Sequence, residues 1–163
     1  MLLLHLQTAQ WQVNQPTNYS KEILWKSLIS NHMQYPWKEL LMEIIGYISQ
    51  SVIKTLHLKL KPNTPVFIGK SNMEHIKNRH PYEYDVYYKD IGSIINSPDY
   101  VGLNPKDGSI LFVKVYQINT TYIRVAVKIT SGGKCFAKTL HSLSTCNVER
   151  YIEKGTLKRL DTN

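Results

Sequence analysis

The segment Thr121-Tyr-Ile-Arg-Val-Ala-Val-Lys-Ile-Thr130 constrains the fold more than any other part of the chain. Ile123, Val125, Val127 and Ile129 alternate with Tyr122, Arg124, Ala126 and Lys128, a period of two that sends successive side chains to opposite sides of a sheet. One side is apolar and β-branched, the other polar and basic. That division predicts an antiparallel sheet with helices on the apolar face and Arg124 and Lys128 on an open one. Ser109 to Gln117 and Lys134 to Ser142 read as its neighbours, joined through Asn119-Thr120 and Ser131-Gly-Gly133, loops of hairpin length. Lys114 and Tyr116 alternate with Val113 and Val115 and extend the open face. At the end of the third strand Thr139 and His141 share one side, with Lys138 on the other.

Upstream the texture is shorter and more broken. Val66 to Gly69 predicts a short strand leading into a helix over Ser71-Asn-Met-Glu-His-Ile-Lys-Asn-Arg-His80. Ser71 and Glu74 have the form of a capping box, and Pro81 disfavours helical backbone at the residue before it. Within that helix His75 and Arg79 are four apart and share a face, while Met73, Ile76 and His80 lie toward a neighbouring one. A second helix is predicted over Asp90 to Ile95 with Asp90 as N-cap, stopped by Ser97-Pro98-Asp99. Tyr100 to Leu103 begins a strand, and Asn104 to Gly108 is a turn by composition. From Trp37 to Thr55, Leu40, Leu41, Ile44, Ile45, Ile48 and Val52 repeat at three and four, which predicts an amphipathic helix. The expected organisation is a helical accessory region over 1–60 and an α+β domain over 61–163, with helices on one face of a roughly four-stranded antiparallel sheet.

Charge narrows the partners. Of the net +8, residues 61–163 hold 15 Lys and Arg against 9 Asp and Glu, whereas residues 1–60 hold 5 against 3. A basic half of this kind favours a polyanion. The opening Met1-Leu-Leu-Leu-His-Leu is shorter than a secretory leader core, and no run reaches the roughly 20 apolar residues of a membrane helix. Cys135 and Cys146, eleven apart, match neither a zinc nor a redox spacing. A reduced, cytoplasmic protein that does not enter a membrane is the expectation, with Cys135 a small strand residue.

Histidine as a residue type titrates near neutrality, so two of them can serve as base and acid, while lysine or arginine holds a phosphate. His75, His80 and His141 with Arg79, Arg124 and Lys128 supply all three roles. His75 and His80 are five apart, the wrong spacing for two zinc ligands on one helical face, and Asp85, Asp90 and Asp99 form no carboxylate pair. No metal and no other cofactor is expected.

His75-Ile-x-x-Arg-His-Pro81, then Asp90-Ile-x-x-Ile-Ile-x-x-Pro-Asp-Tyr100, then a three-strand meander ending in Lys-Thr-Leu-His141, resembles the phage-associated branch of the barnase, EndoU, colicin and RelE ribonuclease superfamily over roughly residues 64–160. The resemblance implies a helical pair followed by a four-stranded antiparallel sheet. It implies metal-free cleavage of RNA to a cyclic phosphate, in a toxin or mobile-element setting with a neutralising immunity or antitoxin protein. Carried onto this chain, it supports His75, Arg79, His80 and Thr139 as site residues. The roles expected are His75 or His80 as base or acid, His141 as its opposite number, Arg79 and Lys128 as phosphate clamps, and Thr139 as a donor to the phosphate. Arg124 and Lys114 are further substrate contacts, and Pro98-Asp99-Tyr100 is a structural turn. Two other readings compete: a nucleic-acid-binding module that uses the same basic sheet and stacks bases on Tyr116 and Tyr122, and a mobile-element protein that binds and inhibits a host protein through the Trp37–Thr55 helix.

Overall fold

The computed structural model describes residues 42–117 and 120–160. In chain order the elements are β1 (Met42–Ile48), α1 (Gln50–Leu56), β2 (Thr64–Gly69), α2 (Lys70–Arg79), α3 (Pro81–Tyr87), a 3-10 turn (Tyr88–Asp90) and α4 (Ile91–Asn96). β3 (Tyr100–Leu103), β4 (Ile110–Tyr116), β5 (Thr121–Ile129), β6 (Cys135–Leu143), α5 (Thr145–Glu153) and β7 (Leu157–Arg159) complete the series. The strands make one sheet in the order β1-β2-β6-β5-β4-β3-β7, antiparallel except where β2 lies parallel to β6. The architecture is α+β, but the sheet has seven strands where about four were expected. The meander β4-β5-β6 matches the alternation that predicts it; the additions are short or interrupted strands with little period of their own. β7 has three residues, β2 carries Pro65, and β1 shifts register between Ile44 and Gly46.

The predicted helix over Trp37 to Thr55 is corrected. Trp37 to Leu41 lie outside the described residues. Met42–Ile48 pairs with β2, and a helix begins only after Ser49, whose side chain accepts from the Val52 amide. Three-and-four spacing in this run competes with strand-compatible Ile residues and with neighbours that demand close approach. A Cβ on Gly46 would meet Ile95 at 3.1 Å, and one on Gly92 would meet the Ile45 carbonyl at 2.6 Å. Tertiary pairing therefore overrides a helical period. Val52, Ile53 and Leu56 are buried in the shared core, so residues 42–60 belong to the same sheet and core as residues 61–160. The helical expectation for residues 1–41 lies outside the described residues.

Both faces of the sheet are packed. Phe112, Ile123, Val125 and Leu140 meet Ile76, Ile91, Ile94 and Ile95 from the helices on one side. On the other, Leu111, Val113 and Ala126, with Leu157 of the edge strand β7 on the same face, pack against Val148 of α5. The face carrying Arg124 is thus half closed, a correction to the open basic sheet. Cys135 is buried in the first core and Cys146 is exposed. No described helix is long and apolar enough to cross a membrane.

Local signals at the helix ends are partly overridden. Gly69 is the N-cap of α2 with no side-chain cap bond, because β2 runs through that residue; Ser71 falls inside the first turn, and Glu74 lies 4.0 Å from Lys70. Pro81 does end α2 and then opens α3 at its first position, where proline's fixed φ suits a helix start. Asp90 occupies the N-cap of α4 without capping it, since its carboxylate accepts from the Tyr116 hydroxyl at 2.9 Å.

Gly102 in β3 gives a test of the β3-β7 pairing. A Cβ there would stand 2.0 Å from the Thr156 carbonyl oxygen. Gly102→Ala is expected to lower the unfolding free energy by about 1–3 kcal/mol in a urea titration. Gly132→Ala, where no atom lies within 4 Å, is expected to change it by less than about 0.5 kcal/mol.

Candidate active site

The site is built where β2 stops. β2 pairs with β6 only at Val66-Cys135 and Phe67-Phe136, after which the chain turns into α2 and runs on beside β6. Ile76 anchors α2 in the core, which leaves His75 exposed one residue earlier. Next, α3 is tied to β6 by Glu83, whose Oε1 accepts from the Ser142 amide at 3.2 Å and from its hydroxyl at 2.7 Å. The Glu83 carboxyl is held below its ordinary range, these hydrogen bonds and nearby His80 outweighing the effect of burial.

Between α2, the β3-β4 turn and the basic side of the sheet lies a cleft of about 480 Å³. Ser71, Asn72 and His75 of α2 form one wall, Asn104, Asp107 and Ser109 the opposite one, and Arg124, Ala126, Lys138 and Thr139 the floor. Lys138 reaches the floor through a bulge. Ala126 opposes Thr139 and Val127 opposes Ala137, so Lys138 has no partner on β5, and the alternation that would send it away from Thr139 is broken. The first turn of α2, which lacks a side-chain cap, adds backbone N–H groups and the positive end of the helix dipole. Asp107 accepts from the Ser109 amide at 3.1 Å and its hydroxyl at 2.7 Å; these bonds, then Lys128 and Lys138, hold its carboxyl below the usual range.

Arg124 and His141 stand directly opposite on β5 and β6. Arg124 Nη2 lies 2.5 Å from His141 Nε2, and Thr139 Oγ1 lies 3.2 Å from His141 Nδ1. A guanidinium only donates, so Nε2 accepts and the ring proton sits on Nδ1, where it donates to Thr139. That leaves the Thr139 hydroxyl proton available to a ligand. His80 stacks on the same ring, centroids 5.0 Å apart and planes at 22°. Burial, then Arg124 and His80, pushes His141 down to about 4. His141 is therefore a neutral group that orients Arg124. Burial likewise lowers the guanidinium from its ordinary value, against Tyr151 and Asp107. Its Nε is buried with no hydrogen-bond partner among the described residues, a condition that costs about 1–3 kcal/mol and is uncommon in folded proteins.

The depressed His141 makes stability depend on pH. Above about 6.5 neither the folded nor the unfolded ring is protonated; between there and about 4 only the unfolded one is. Stability contributed by the neutral ring is therefore lost as pH falls through that window, and the loss levels off below it. Urea midpoints measured from pH 7.5 to 4 should show this fall. His141→Gln should flatten it.

Other basic residues expected at the site are placed elsewhere. Arg79 is exposed in the last turn of α2 and does not line the cleft. Lys128 donates to the Asp107 carbonyl and so braces the β3-β4 turn. Lys114 pairs in register with Ile123, which puts it on the side opposite Arg124; it donates to the Ser97 carbonyl at 2.7 Å and to Asp99 at 3.4 Å. Asp99 also accepts from the Val115 amide at 2.7 Å, in keeping with a structural turn. Tyr116 is engaged by Asp90 and packs on Tyr87, and Tyr122 packs into the second core, so neither is a free stacking platform. Among the described residues no three His, Cys, Asp or Glu side chains are grouped to hold a metal ion. Sequence reading missed Lys138, Asp107 and Glu83. Lys138 stands within the Lys-Thr-Leu-His motif, but only the pairing with β5 shows the bulge.

The model of the family described as phage-Barnase-EndoU-ColicinE5/D-RelE like nuclease3 matches residues 43–150, about two thirds of the chain. The chain belongs to this family. The match opens in β1 and closes in α5, so it takes in His75, Arg124, Lys138, Thr139 and His141 together with the strand-helix unit before residue 60. No curated protein and no solved structure matches the chain. A nuclease-like family makes nucleic acid the substrate class against which the cleft is to be read.

Proposed function

We propose that this chain is a metal-independent endoribonuclease of toxin type. The observation that carries the reading is the convergence of His75, Arg124, Lys138 and Thr139 on one cleft beside an uncapped helix start. In the reaction the ribose 2′-oxygen attacks the adjacent phosphorus and the bond to the 5′-oxygen breaks. The 2′-hydroxyl proton passes to a base, the leaving oxygen gains a proton, and the products are a 2′,3′-cyclic phosphate and a 5′-hydroxyl. The nucleophile belongs to the substrate, so the protein must place charge and move protons. His75 moves a proton, Arg124 and Lys138 hold the non-bridging oxygens as charge grows on them, and Thr139 donates to the phosphate. His141 and His80 hold Arg124 in position. The phage association in the family description and the hazard of a free ribonuclease together support a neutralising partner protein, and the basic cleft suits an acidic one.

The test is incubation of the purified protein with single-stranded RNA or transfer RNA in EDTA. Cyclic-phosphate ends are expected, with DNA of the same sequence and 2′-O-methyl RNA left intact. RNA that survives this treatment would sink the reading.

A further inference from the structure

A second pocket, of about 260 Å³, adjoins the cleft at Arg124 and Asn104. Its walls are the β3-β4 turn with Asn104 and Lys106, and α5 with Arg150 and Tyr151, followed by Lys154 just past the helix end. Arg124 and Asn104 line both spaces, so the two are contiguous across these side chains. Unlike the cleft, which contains Asp107, this pocket has no acidic side chain among its lining residues. Lys106, Arg150 and Lys154 are all exposed. The Arg150 guanidinium lies 5.8 Å from the centre of the Tyr151 ring, while its Nη2 donates to Asn147 at 2.7 Å.

We propose that this pocket holds the nucleotide next to the one being cleaved, on the same single strand. Lys106, Arg150 and Lys154 take its phosphate, and Tyr151 offers an aromatic surface for its base. The pocket is smaller than the roughly 300–1,000 Å³ of an independent small-molecule site, and its sharing of Arg124 and Asn104 with the cleft fits one unit of a continuous polymer. Arg124 stands between the two sites, touched by Tyr151 on one side and His141 on the other. A phosphate seated in the second pocket therefore acts on the group that holds the reacting one. The proposal rests on the endoribonuclease reading for the identity of the strand, but the pocket itself is read separately.

The experiment compares a dinucleoside monophosphate, which has no neighbouring phosphate, with a longer single-stranded oligonucleotide. Wild type is expected to cleave the longer one with at least a tenfold higher kcat/KM. Lys106→Ala/Lys154→Ala should remove that gain and leave the dinucleoside rate unchanged. The slope of log affinity against log salt for a 2′-O-methyl oligonucleotide should fall by about 1.4, two contacts at about 0.7 each. Lys89→Ala, which lines neither space, should leave both readouts alone. An unchanged length preference and salt slope in the double variant overturns the proposal. If wild type cleaves neither substrate, the endoribonuclease reading fails, and the 2′-O-methyl affinity then decides the pocket: weaker binding by the double variant supports it, equal binding refutes it. Should loss of Lys154 at the end of α5 unfold the chain, Lys106→Ala/Arg150→Gln replaces it with the same expectations.

Discussion

Alanine at His75 is expected to lower cleavage of single-stranded RNA by about a hundredfold or more, the scale of a lost proton-transfer group. The side chain is exposed on α2 and its neighbour Ile76 carries the packing, so the melting temperature should barely move. Affinity for uncleavable 2′-O-methyl RNA should also hold, because on the proposed reading Arg124, Lys138 and the α2 start are the groups that bind the phosphate. The pH-rate profile should lose one limb. His141→Ala offers the contrast: a neutral ring whose Nε2 is occupied by Arg124 moves no proton, so both limbs should survive a smaller loss of rate. A His75→Ala protein of normal activity, or a limb that vanishes with His141 instead, would exchange the two roles.

Arg124 is expected to show the second large effect. Arg124→Lys keeps a positive charge but loses the planar fork that reaches His141 Nε2 and is proposed to hold a phosphate at the same time, and kcat should fall by about a hundredfold. Arg124→Met should fall further. Stability should respond differently: methionine removes the buried Nε that has no partner but also the donor to His141 Nε2, so the two effects offset and unfolding should shift by less than about 1 kcal/mol. A methionine variant that loses stability and activity together would mark Arg124 as a structural residue.

How far the site was legible in the chain depends on the range of the interaction that placed each residue. His75 could be placed on a helix beside the sheet because a strand end, a helix and a proline sit within a few residues of one another. Thr139, His141 and Arg124 could be placed on one face because strict alternation survives along β5 and across most of β6. Lys114 was assigned to the wrong side because alternation within β4 says nothing about its register against β5; once Val113 lies opposite Arg124, Lys114 must face away from it. Lys128 and Arg79 carry the right charge for a clamp, but charge alone does not show that one braces a turn and the other points to solvent. Whether His141 titrates was likewise invisible, since its low pKa comes from burial and from an arginine 17 residues away.

The sequence by itself determined the meander β4-β5-β6, the helix after β2 and its break at Pro81. Each rests on a short-range rule: a period of two, a turn residue, or a ring that restricts its neighbour. Only the tertiary structure decided that Met42–Ile48 would be a strand, that the sheet would grow to seven, and that α5 would pack over part of its basic face. It also set the bulge that turns Lys138 in beside Thr139 and the facing of Arg124 onto His141. These are pairings between segments far apart in the chain. Their energy comes from backbone bonds and buried area that exist only after the partners meet, so no local pattern records them.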